Sequence, residues 1–84
     1  MDRLIVYTTS WCSDCHRVKF LLHEYGVHFI EIDIEKNPDA AAFVRERNNG
    51  MRCVPTIVFP DDTIMVEPTS AQLAAKLGLE LSRF

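Results

Sequence analysis

The sequence has no long apolar run. Its N-terminus, M-D-R-L-I-V-Y-T, contains only Leu4 to Tyr7, too short for a membrane span of about 20 residues or for the core of a signal peptide. No Arg/Ser-rich leader precedes that run, so a cytoplasmic protein without membrane association is expected, in a reducing compartment. There is no Lys/Arg block and no aromatic-basic stripe, and the formal net charge is only −3. General nucleic-acid binding is therefore not expected. Internal repeats, linkers and low-complexity segments are missing as well. A chain of 84 residues without them reads as one domain, 1–84, and as a monomer. With 48% apolar and 25% charged residues it belongs with ordinary globular chains rather than disordered ones.

Cysteine is sparse too. There are three, an odd number, and two of them share one C-x-x-C. In a reducing compartment that argues against a disulfide framework and for catalytic or metal-binding thiols.

The pair lies in W-C-S-D-C-H, Trp11 to His16, which satisfies three signatures at once: haem attachment, half a zinc site, and the core of a thiol–disulfide oxidoreductase. Covalent haem needs export, an axial partner for His16 and spare chain to wrap a porphyrin. Zinc needs two more ligands, yet no second C-x-x-C or H-x₃-H is present, and Cys53, His23 and His28 are scattered. The third chemistry remains. His16 then reads as a surface histidine pointing away from Cys12.

The pattern along the chain supplies a context. Leu4 to Tyr7 is continuous enough for a strand buried on both faces. From Ser13 to Tyr25, Val18, Phe20, Leu21, Leu22 and Tyr25 recur at helical steps, with Gly26 as the stop. His28 to Ile34 alternates, with Ile30, Ile32 and Ile34 on the apolar side. Asn37 and Pro38 open a second helix that Asn48-Asn49-Gly50 ends. Thr56 to Phe59 and Thr63 to Val66 form a hairpin about Pro60-Asp61-Asp62. A last helix starts at Thr69 or Ser70 and carries Leu73, Leu77 and Leu81 unless Gly78 ends it early. The order β-α-β-α-β-β-α predicts an α/β fold: a four-stranded mixed sheet with helices on both faces.

In that order the C-x-x-C falls where the first strand gives way to the first helix. Unpaired N–H groups and the helix dipole there favour a thiolate at Cys12, the expected nucleophile at an exposed tip. Cys15, about one turn on and nearer the core, is the expected resolving thiol. Asp14 suits the helix dipole, but its carboxylate opposes ionisation of Cys12. Trp11 is expected partly exposed beside the thiol, shaping the partner surface. Arg17, Lys19 and Arg52 read as solvated surface charges, with a basic rim for anionic thiols as the alternative. Cys53 reads either as filler for a threonine-sized space or as a third thiol near Cys12.

Cys53-Val54-Pro55-Thr56 precedes the third strand. Alone it suggests a trans proline starting a strand. After a strand–C-x-x-C–helix opening, it suggests a cis Pro55 that leaves the N–H and C=O of Val54 free for an extended ligand.

T-T-S-W-C-S-D-C, the V-P-T element and the element order resemble the glutaredoxin branch of the thioredoxin superfamily. N-N-G-x-x-x-V-P-T and E-P-T-S are most similar to mycoredoxins and related short glutaredoxin-like proteins. The resemblance implies a thioredoxin-like fold. It also implies reduction of protein disulfides, or of mixed disulfides with a low-molecular-weight thiol, through Cys12. Val54 would hold the substrate backbone, Pro55 would be cis, and the N–H groups of Thr69 and Ser70 would take a ligand carboxylate. The chain lacks the C-P-Y-C and Gly-Gly-x-Asp elements of many glutaredoxins. No bound cofactor is implied. The co-substrate would be mycothiol, glutathione or a similar thiol, and the partners thiolated or disulfide-containing proteins. Two alternatives are an electron donor to ribonucleotide reductase recharged by a thioredoxin-reductase-like flavoenzyme, and an iron–sulfur or metal carrier. Cys15 speaks against the carrier, which usually has one active-site cysteine.

Overall fold

The computed structural model describes residues 3–79. In chain order these form β1 (Leu4–Thr8), α1 (Ser13–Glu24), β2 (Phe29–Asp33), α2 (Pro38–Arg47), β3 (Thr56–Val58), β4 (Ile64–Val66) and α3 (Ser70–Leu77). The sheet runs β2-β1-β3-β4. β1 is parallel to β2 and antiparallel to β3, and β3 pairs antiparallel with β4. This is the mixed four-stranded sheet expected from the element order.

β1 is central because its residues tolerate burial on both sides. Leu4 and Val6 pack with Val18, Leu21 and Leu22 of α1, with Leu73 of α3, and with Ile57 and Phe59. Tyr7 points the other way, into a cluster with Ile34, Ala40, Ala41 and Val44 that also takes in Val54, Cys12 and Cys15. Its ring stacks on Phe43 with centroids 5.1 Å apart. Helices α1 and α3 therefore cover one face and α2 the other. The second cluster is the one that fixes the cysteines against the sheet.

Local signals set the helix ends. Gly26 has φ +68, and the N–H groups of Gly26 and Val27 reach back to the carbonyls of His23 and Leu22 at 3.1 and 2.9 Å. That is a Schellman closure, which requires a residue able to adopt the left-handed region. Asn37 caps α2 by accepting from Ala40 N–H at 3.2 Å, with Pro38 just inside. Gly78, φ +71, ends α3 directly after Leu77, so the early stop applies. Leu81 lies outside the described residues.

Two apolar assignments change. Phe20 is 58% exposed, because the buried stripe of α1 is Cys15, Val18, Leu21 and Leu22 and Phe20 sits off it. Ile30 is 37% exposed while Ile34 is 2% exposed. β2 is an edge strand, and Ile30 lies outside the cluster that α2 buries. Periodicity marks a face but not how far a helix covers it. Among the described residues no helix is long and apolar enough to cross a membrane.

Ile57, fully buried between α1, α3 and β1, is a sensitive position. We expect Ile57→Ala to cost about 2–5 kcal/mol in urea unfolding, a large share of the ~5–15 kcal/mol available to a small domain.

Candidate active site at the start of α1

β1 ends at Thr8, and the chain turns through Thr9, Ser10 and Trp11 to place Cys12 at the N-cap of α1, in extended conformation (φ −84, ψ 113). The Cys12 N–H donates to the Thr9 carbonyl at 3.4 Å, and the His16 N–H donates to the Cys12 carbonyl at 3.2 Å. The sulfur does what a serine or aspartate oxygen does at an ordinary cap: Cys12 Sγ accepts from the Cys15 N–H at 3.1 Å. That donor and the positive end of the helix dipole both direct partial positive charge onto Sγ. From the other side, the Cys12 thiol donates to the Val54 carbonyl at 3.7 Å. Val54 lies across the thiol, so Cys12 is only 8% exposed. The expected exposed tip is instead an almost covered sulfur, reached from one side.

Cys15 is fully buried beneath it. Burial pushes its thiol up to about 12, aided by its hydrogen bond with the Cys12 side chain; a backbone hydrogen bond from Thr9 and the charge of Lys19 pull the other way. All three cysteines are free thiols.

Above Cys12 lies an open groove of about 390 Å³. It is lined by Trp11, Cys12, Ser13 and Asp14 from the start of α1 and by Arg52, Cys53, Val54 and Glu67 from the segments flanking β3 and β4. Trp11 is 69% exposed and steadied by its indole N–H, which donates to Glu35 Oε2 at 3.1 Å. The Val54–Pro55 peptide is cis. Among the described residues nothing accepts from the Val54 N–H. A second depression, about 440 Å³, lies at the β2 edge against Arg3, His28, Phe29 and Ile30, away from every thiol.

The remaining expectations divide. His16 is exposed, with Nε2 3.1 Å from the Ser10 carbonyl oxygen. The basic rim does not form. Arg17 donates to Ser70 Oγ at 2.9 Å and to the Pro68 carbonyl at 3.0 Å, and Lys19 pairs with Glu31 at 2.8 Å. Only Arg52 of the three reaches the groove, which it shares with the carboxylates of Asp14 and Glu67. Thr69 and Ser70 do not line it. The Thr69 N–H, expected to meet a ligand carboxylate, is taken by Gln72 Oε1 at 2.9 Å, while Thr69 Oγ1 accepts from the Gln72 N–H at 3.1 Å. The Thr69-x-x-Gln72 spacing is that of a capping box, so the sequence did carry the signal. Glu67 carried none. It enters the groove because a positive φ of +49 turns the chain after β4 and sends its N–H to the Pro55 carbonyl at 2.8 Å.

Among the described residues no group of three or more His, Cys, Asp or Glu side chains converges as a metal site would. The glutaredoxin family profile matches residues 4–64, from β1 through the C-x-x-C and the cis proline to β4. The chain belongs to the glutaredoxin family. A Mycobacterium tuberculosis relative with a provisional glutaredoxin name is 43% identical over 74 residues, 88% of each chain. Mycoredoxin 1 of Corynebacterium glutamicum is 31% identical over 92% of this chain and 95% of its own. A glutaredoxin-like NrdH-redoxin structure from Escherichia coli superposes with TM-score 0.64 at 28% identity, covering 75% of this chain and 79% of that one. The thioredoxin-like protein BC3987 (mutant T8A) superposes at TM-score 0.81 over 95% of this chain, and at 24% identity it speaks to the fold alone. Glutaredoxin membership and the Cys12–Cys15 pair give this chain a thiol redox function.

The raised Cys15 titration has a consequence for stability. The folded state holds this thiol protonated while an unfolded chain releases the proton near the ordinary value of 9.0. Its contribution is fully present below that value and is lost as pH rises from there towards about 12. Denaturation of the reduced protein across that range should show a steeper alkaline loss of stability than Cys15→Ser; equal slopes would mean that the fold does not hold the Cys15 thiol protonated.

Proposed function

We propose that the chain is a thiol–disulfide oxidoreductase of the reducing cytoplasm in which Cys12 attacks and Cys15 resolves. The observation that carries this reading is the pair of contacts on one sulfur: Cys12 Sγ accepts the Cys15 N–H from the helix side and faces the Val54 carbonyl from the other. As a thiolate, Cys12 attacks one sulfur of a substrate disulfide, forming a mixed disulfide and expelling the other sulfur, which takes up a proton. Cys12 then has no S–H to donate, so the Val54 carbonyl is released beside the already free N–H. Together they hold the substrate as one more strand. Cys15 loses its proton and attacks Cys12, leaving a Cys12–Cys15 disulfide and a reduced substrate. Trp11 forms the exposed wall against which a partner rests.

The groove and the relatives support a choice of electron source. Two carboxylates against one guanidinium disfavour a thiol of net negative charge such as glutathione. An exposed indole suits a neutral, sugar-like surface. The mycoredoxin 1 relative points the same way, to mycothiol or a chemically similar thiol. A second reading is favoured by a different relative: the E. coli glutaredoxin-like protein NrdH, 30% identical over 70% of this chain, suggests an electron donor recharged by a thioredoxin-reductase-like flavoenzyme.

The test is recharge of the oxidised protein, read as free thiols. Mycothiol should restore both active-site thiols faster than glutathione does. Recovery with thioredoxin reductase and NADPH alone would select the second reading. Cys12→Ser should reduce a disulfide substrate no faster than background, and Cys15→Ser should keep activity only on small mixed disulfides. Failure of every reductant to recharge the protein would overturn the proposal.

A further inference from the structure

The third cysteine faces the same groove as the first. Cys53 is half-buried, lines the same groove as Cys12, and immediately precedes Val54, whose carbonyl meets the Cys12 thiol at 3.7 Å. Nothing in the local fold requires a thiol there. The Cys53 carbonyl, not its side chain, is the group used structurally, accepting from Thr56 Oγ1 at 2.7 Å.

The two candidate resolving thiols stand differently towards a substrate. Cys15 is sealed under Cys12, and its burial resists the loss of a proton. Cys53 opens onto the groove where the mixed disulfide sits. A disulfide needs the two Cα atoms to come within roughly 4.4–6.8 Å. Residues 51–53 belong to neither helix nor strand, so closing that distance breaks no ladder or helical hydrogen bond. A cysteine on the rigid β3 strand would not have this freedom.

We propose that Cys53 is a second resolving thiol, attacking Cys12 on the groove side to form a Cys12–Cys53 disulfide. The proposal rests on the reading of Cys12 as the nucleophile. In the step, the Cys53 thiolate attacks Cys12 Sγ within the mixed disulfide. The Cys12–Cys53 bond forms, the bond between Cys12 and the small thiol breaks, and the small thiol leaves with the proton that Cys53 gave up. No external oxidant is needed, because the mixed disulfide supplies the oxidising equivalent. Cys15 can then attack Cys12 in turn, returning Cys53 to the thiol and giving the Cys12–Cys15 pair. With the bridge in place Cys53 lies against Cys12, so the groove is closed to substrate until that exchange or an outside thiol reopens it.

The experiment uses the full-length Cys15→Ser protein, reduced and then mixed with hydroxyethyl disulfide as the small-thiol donor. Peptide mass spectrometry after alkylation should find Cys12 bridged to Cys53 as the main product, lighter than the reduced protein by two hydrogens. Release of mercaptoethanol from preloaded Cys15→Ser should be at least about tenfold faster than from Cys15→Ser/Cys53→Ser, as expected for an intramolecular thiol. The double variant should keep the adduct on Cys12. A stable Cys12 adduct in Cys15→Ser, with Cys53 free, would overturn this inference and leave Cys12 as nucleophile. An adduct on Cys53 with Cys12 free would overturn both. Circular dichroism of each variant separates a lost bridge from a lost fold.

Discussion

Everything distinctive about this protein depends on a sulfur standing in for an oxygen at a helix cap. Cys12 accepts the Cys15 N–H where a cap residue would. One hydrogen bond therefore closes the first turn of α1, sets the spacing of the two thiols and delivers positive charge to the Cys12 sulfur. The sulfur does not stand open to solvent on all sides. It faces the Val54 carbonyl instead, so the segment from Cys53 to Thr56 becomes part of the site although it lies some forty residues downstream.

Both halves need the sheet to hold them. β1 delivers Cys12 at its C-terminal end, and β3, its antiparallel neighbour, begins just after Val54 and Pro55. The register Tyr7↔Thr56 places the end of one strand beside the start of the other. That juxtaposition is paid for by the cluster of Tyr7, Ile34, Ala40, Ala41 and Val44, which buries Cys15 and Val54 with it. On the opposite face Arg17 ties α1 to Pro68 and Ser70, steadying the segment from which Glu67 enters the groove. Stability and chemistry thus draw on the same residues, and burial that holds Cys15 in place also makes its proton costly to remove.

Much of this was legible beforehand. A C-x-x-C after a short apolar run and before a helical pattern has one sensible location, and Asn37-Pro38 and Gly26 announced their helix ends because capping is local chemistry. The glutaredoxin resemblance and the element order agree with the fold found. Where the exposure of Cys12 and the charges of α1 departed from expectation, the cause was distance along the chain. Arg17 and Lys19, read as solvated charges with a basic rim as the alternative, instead take partners from Glu31, Pro68 and Ser70. Thr69 looked ready for a ligand until its own Gln72 occupied it; there the capping-box pattern was present and a helix N-terminus was read only as an anion site.

By itself the sequence determined the order of the elements, the caps, and the presence of two cysteines one helical turn apart, because each depends on side chains within a few residues of one another. Tertiary structure alone decided that Cys12 is nearly covered, that Val54 covers it, that Asp14, Arg52, Cys53 and Glu67 share its groove, and that Arg17 does not. Those facts depend on how two strands and the turns that end them meet in space, and the packing that brings them together joins residues too far apart for any local pattern to relate.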